Sequence, residues 1–149
     1  MNFLSLILVA SAVMAMTPPS PTRSAPALNP DAIAGTWTCV SAIIDGRPLP
    51  EEVTKRLRLT LTKESYRTTK GDQVLFESTY KLDPSRSPCQ INIIGTEGDL
   101  AGKEAQGICA LSDDLFKICY TMPGRPRPAQ FESPAGSQAQ LIVWKRTKG

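Results

Sequence analysis

The chain has 149 residues, 41% of them hydrophobic, 6% aromatic and 21% charged, with 13 prolines and 10 glycines. This leaves room for one domain around a single core, and it is too apolar for disorder and too punctuated for a helical bundle. A net charge of only +3, with Lys and Arg dispersed among Asp and Glu, excludes the basic field that nucleic acid requires; the absence of histidine removes Ser-His-Asp and Cys-His nucleophiles and the usual zinc sites.

The first segment, Phe3 to Met16, is an apolar run too short to span a bilayer as a helix, and Pro18-Pro19 follows it at once. It reads as the apolar region of a signal peptide over residues 1–15, with Val13-Met14-Ala15 as the cleavage site, although Met1-Asn2 supplies no basic residue. Residues 16–30, rich in Pro, Ser, Thr and Ala, read as an extended tether. Together they predict an exported protein, secreted or held in the periplasm or cell envelope, with no stable membrane span. The folded domain is expected over 31–149.

From Gly35 onward the pattern is of strands and turns. Gly35-Thr36-Trp37 opens the first strand, with Trp37, Cys39, Ser41 and Ile43 on one face, and Asp45-Gly46-Arg47-Pro48 ends it. Pro50-Glu51-Glu52 starts a short helical turn. Leu57, Leu59 and Leu61 alternate with polar residues in a second strand, and Ser65 to Lys70 forms a third. Gly71-Asp72 turns the chain into a fourth, where Val74, Phe76, Ser78, Tyr80 and Leu82 share a face. Cys89 to Ile94, Gln106 to Leu111, Leu115 to Met122 and Ala139 to Thr147 complete eight strands. Phe116, Ile118 and Tyr120 point inward from the seventh, with Ile108 and Ala110 beside them from the sixth. This predicts an all-β, up-and-down, eight-stranded antiparallel barrel with one short helix after the first strand; a β-sandwich is the alternative. Trp37 is the expected barrel plug, with Arg146, or failing that Lys145, across its face.

The domain from about Ala34 to Arg146 resembles an uncharacterised lipocalin-like family abundant in planctomycete bacteria. The resemblance rests on Gly35-Thr36-Trp37, Asp45 to Pro50, Thr79 to Pro84, Ile118-Cys119-Tyr120, Pro123-Gly124, Arg127-Pro128, Phe131, Gly136-Ser137 and Lys145-Arg146. It implies an exported lipocalin-like barrel and no particular activity. Cys39, Cys89 and Cys109 are not characteristic of that family, so cysteine pairing is argued from this chain alone.

No catalytic constellation emerges, and neither an enzyme activity nor a cofactor nor a metal is expected. Ser78-x-x-Lys81 lies in a strand, where its two ends face opposite ways. Ser112-Asp113-Asp114 reads as a tight hairpin loop, and Asp113 and Asp114 at its tip are turn formers that lack the further oxygens calcium needs. Up-and-down connectivity gathers Arg47, Lys70, Lys103, Arg125 and Arg127 on loops at the open end. Such cations around an apolar cup suit a small amphipathic ligand such as a carboxylate; Tyr80 and Tyr120 are the polar candidates inside. The competing reading is a barrel filled by Phe76, Tyr80, Phe116, Tyr120 and Trp144 that serves as a protein-interaction module in the envelope. Four widely spaced cysteines suit disulfides in an exported protein. The register that places Ile108 and Ala110 with Phe116, Ile118 and Tyr120 pairs Cys109 with Cys119, and alternating connections bring Cys39 and Cys89 to one end.

Overall fold

The computed structural model describes residues 28–147. The expected signal peptide and residues 16–27 of the expected tether lie outside them. Within the tether's last three residues the fold has already begun: Leu28 is buried in the core, and the Asn29 side chain accepts from the Ala32 N–H at 2.8 Å. It caps a one-turn helix α1 (Pro30–Ile33), whose first residue is a proline preset for that position.

Nine strands follow: β1 (Gly35–Ile44), β2 (Arg47–Pro48), β3 (Leu57–Leu61), β4 (Ser65–Lys70), β5 (Gln73–Asp83), β6 (Cys89–Gly95), β7 (Glu104–Ser112), β8 (Leu115–Thr121) and β9 (Ala139–Arg146). A second short helix, α2 (Glu51–Thr54), lies between β2 and β3. From β3 to β9 each strand pairs antiparallel with the next, and β9 pairs back onto β1, which also pairs with β3. The result is the expected closed, eight-stranded, up-and-down barrel of lipocalin-like form. Closure rules out a sandwich, because it leaves no free edge between two sheets. The two residues of β2 add a small hairpin to the far half of β1 through Asp45 and Gly46, both at positive φ. Glycine is required at 46: a Cβ there would lie 2.7 Å from the Ala135 backbone nitrogen. Among the described residues no helix is long and apolar enough to cross a membrane.

Two bulges re-aim side chains that simple alternation assigns wrongly. Cys39 pairs with Trp144 and Ser41 with Val143, so Val40 is an extra residue in β1. Trp37 and Cys39 point inward before it, and Ala42 and Ile44 after it, in place of the expected Ser41 and Ile43. In β5, Phe76 pairs with Thr68 and Val74 with Thr69, leaving Leu75 unpaired in the ladder. Val74, expected inside, is therefore 40% exposed.

Burial follows the corrected phase. Trp37, Leu59, Leu61, Tyr66, Phe116 and Ile118 are almost completely buried and fill the end of the barrel that α1 covers. The Trp37 indole donates from Nε1 to the Ile33 carbonyl at 3.0 Å and packs against Phe116, ring centroids 5.7 Å apart. Arg146 lies over the Trp37 ring. In the segment between β8 and β9, Met122 and Pro123 reach the open end of the barrel interior, and residues 124–138 lie outside the barrel. There Phe131 joins Ile108, Cys119, Ala139 and Leu141 in a second apolar cluster. That cluster explains another correction: Ile108 faces outward beneath this segment, and Cys109 takes the inward position on β7.

Candidate functional site

The packed core stops about halfway along the barrel. Beyond it, at the end where β1 finishes and β3 begins, a cavity of about 360 Å3 opens to solvent. Its walls come from the inward residues of the strands: Ala42 and Ile44 of β1, Leu57 of β3, Phe76 of β5, Ile93 of β6, Ala105 of β7 and Ile142 of β9. Trp144 also lines it, from deeper along β9. Leu49 and Val53, from the hairpin and α2, and Leu100, from a short turn after β6, add apolar contacts from outside the strands. The turn carrying Leu100 comes this close because residue 95 is glycine; a Cβ there would collide with the Leu100 carbonyl.

Polar groups in the cavity are few. Tyr120 and Gln140 are direct partners across β8 and β9, and the Tyr120 hydroxyl donates to Gln140 Oε1 at 2.8 Å. That bond fixes the amide so that Nε2 is turned toward Met122 Sδ at 4.0 Å, a weak acceptor that leaves donor capacity in hand. The Trp144 indole N–H is buried without an acceptor. Burial holds the Tyr120 phenol well above its ordinary range, so it remains a neutral donor. Lys70, the last residue of β4, and Lys103, just before β7, supply positive charge to the lining.

The expected site residues are only partly brought together. Tyr120 lines the cavity, as do Lys70 and Lys103. Tyr80 faces inward but into the packed half, where its hydroxyl donates to the Thr62 carbonyl at 2.6 Å; burial pushes its pKa up to about 12. Arg47 is exposed on β2, away from the lining. Arg125 is carried outward with its loop, where Nη1 reaches the Gly136 carbonyl at 3.5 Å. Arg127 is a strut on the outer wall, donating to the carbonyls of Ile91 at 3.1 Å and Gly107 at 2.7 Å and to Asn92 Oδ1 at 2.6 Å. Counting loops puts all three arginines on the rim, but the loop that bears two of them folds back along the outside of the barrel. Trp37 and Arg146 meet at the opposite, closed end.

The cysteines are four free thiols, all buried. Neither expected pair is adjacent. The β7–β8 hairpin closes through a two-residue turn, Asp113-Asp114, that sets Cys109 opposite Ile118 and Cys119 opposite Ile108. This one-residue shift sends the two sulfurs to opposite faces of the sheet. Cys39 lies on β1 opposite Trp144, whereas Cys89 lies on β6 opposite Cys109. Burial raises the Cys39 thiol to about 11.

Gln140, Ala42, Ile44, Leu49, Val53 and Leu100 are cavity residues that strand counting missed. Ala42 and Ile44 were hidden by the bulge at Val40. Leu49 and Val53 had a visible signal, apolar residues spaced four apart across the turn leading into α2. Comparison of the chain with protein families, with curated proteins and with solved structures finds no match in any of the three.

Proposed function

We propose that the protein is a binding protein for a small, mostly apolar molecule bearing an anionic or oxygen-rich end, which it holds in the open half of the barrel. One observation carries this reading: the closed half is packed with side chains, while the other half keeps an apolar cavity of about 360 Å3. At about 30 Å3 for each water-sized group, that is space for roughly a dozen of them, within the range of small-ligand sites. An apolar interior supplies affinity through surface removed from water. The few donors supply orientation: Gln140 Nε2 within, and the lysine ammonium groups of Lys70 and Lys103. The expected export and the resemblance to an exported lipocalin-like family fit a carrier or sensor outside the cytoplasm.

The test uses fluorescent amphiphiles of matched apolar body with anionic, neutral and cationic ends, added to the folded protein. Saturable one-to-one binding, tightest for the anionic probe and lost in Ala105→Phe, is the expected result. Absence of saturable binding by all three probes overturns the reading.

A further inference from the structure

Cys89 and Cys109 are direct partners across the antiparallel β6–β7 pair, and both belong to the barrel's main core. Directly opposed residues in such a pair have Cα atoms about 4.5 or about 5.5 Å apart, and both spacings lie inside the window of about 4.4 to 6.8 Å that a disulfide spans. The two differ in access. Cys89 is 9% exposed, at the start of β6 beside the exposed Pro84–Pro88 turn, whereas Cys109 is 1% exposed.

We propose that Cys89 and Cys109 form a redox-reactive pair that closes to an intramolecular disulfide by exchange with a small-molecule disulfide. In the first step the Cys89 thiolate attacks one sulfur of the oxidant, forming a mixed disulfide and expelling one thiolate. In the second, Cys109 loses its proton and attacks the Cys89 sulfur, expelling the second thiolate. The oxidant leaves as two thiols, which carry the two protons, and the protein has lost two protons and two electrons. The thiol chemistry supports this order. Hydrogen bonding from the Cys109 thiol holds Cys89 below its ordinary pKa despite the opposing effect of burial, and the same contact, followed by burial, raises Cys109. Cys39 and Cys119 have no such neighbour: Cys39 faces Trp144 across the strands, and Cys119 donates to the Glu132 carbonyl at 3.2 Å. Closure would tie β6 to β7 at the end opposite the Leu100 turn and so stiffen the hairpin that carries Leu100 and Lys103. The inference stands apart from the ligand reading, since neither sulfur lines the cavity.

The experiment is to incubate the full chain, folded and reduced, with oxidised glutathione, alkylate the free thiols under denaturing conditions and map tryptic peptides without reduction. Trypsin does not cut before proline, so the four cysteines fall in separate peptides: 24–55, 87–103, 104–117 and 118–145. The expected product links 87–103 to 104–117, about 2 Da lighter than the sum of the two reduced peptides, with Cys39 and Cys119 alkylated. In Cys109→Ser the glutathione adduct should persist on Cys89, and in Cys89→Ser Cys109 should stay unmodified. Four alkylated cysteines in the oxidised wild-type protein, or a linkage involving Cys39 or Cys119, overturns the proposal; an adduct on Cys109 in Cys89→Ser overturns the assignment of Cys89 as the attacking sulfur.

Discussion

The Arg146 guanidinium lies 4.3 Å from the centre of the Trp37 ring, and the two residues face each other across the seam where the last strand meets the first. Both also hold α1. Arg146 donates from Nη1 to the Ala34 carbonyl at 3.2 Å and from Nη2 to the Ala32 carbonyl at 2.7 Å, while Trp37 Nε1 binds the Ile33 carbonyl. Closure of the barrel and coverage of its end are thus one contact.

Trp37→Ala should therefore be among the most damaging single changes, costing about 3 to 5 kcal/mol by the cavity it leaves. Arg146→Ala should cost about 1 to 3 kcal/mol, combining a cation–π contact with charge-assisted bonds to two carbonyls. Arg146→Lys, which loses the planar fork but keeps the charge, should fall between Arg146→Ala and wild type. Urea unfolding followed by Trp fluorescence and far-ultraviolet dichroism measures all three. If both alanine variants unfold at the wild-type midpoint, the seam does not depend on this contact.

Arg127 illustrates how a residue can be placed correctly in the chain and wrongly in space. It anchors the 122–138 segment to the outer wall through three acceptors. Arg127→Ala should lower stability by about 1.5 to 3 kcal/mol, because bonds from a charged donor to three acceptors are lost. Amphiphile binding should be unchanged, since the cavity lies inside the barrel. A large fall in affinity at unchanged stability would return Arg127 to the binding site.

Deleting Val40 should be tolerated. Val40 is the extra residue of the β1 bulge and 53% exposed. Without it, Trp37, Cys39, Ala42 and Ile44 stay inward by plain alternation. The expected cost is about 1 to 2 kcal/mol, for the local twist a bulge adds, with cavity binding retained. Failure of the deletion variant to fold would show that the barrel needs the bend itself.

Legibility in the sequence follows from the physics of each signal. Strand existence and order were readable because each strand is bounded by turn residues, as at Gly71-Asp72 and Asp113-Asp114. The Trp37–Arg146 contact was readable because closure makes the first and last strands neighbours. The facing of side chains was readable only in strands without bulges. Leu57, Leu59 and Leu61 are all buried as alternation requires, but Val40 and Leu75 carry no local mark of being extra. The register of the β7–β8 hairpin hinged on whether its turn takes two residues or three, and that one choice decided which face received Cys109. The cavity depends on a volume difference between the two halves of the barrel, which no stretch of sequence records.

The three tyrosines, Tyr66, Tyr80 and Tyr120, all have phenols raised above the ordinary value of about 10. Burial is the first cause in each. For Tyr66 the neighbouring Tyr120 adds to it, and for Tyr80 the charge of Asp31. Because the folded pKa values are raised, the neutral phenols contribute stability that is fully present below the unfolded value of about 10 and is lost as pH rises through the folded values, about 12 for Tyr80. Alkaline titration followed by tyrosinate absorbance should therefore show no ionisation step at the ordinary value while the protein is folded. Ionisation should appear later, together with loss of strand dichroism, as the barrel opens. Tyr80→Phe should weaken this coupling and reduce stability at neutral pH by about 1 kcal/mol, through loss of the hydroxyl's bond to the Thr62 carbonyl. An ordinary titration of even one tyrosine in the folded protein would mean that one of these rings is open to solvent, with Tyr120, the one on the cavity wall, the first to test by Tyr120→Phe.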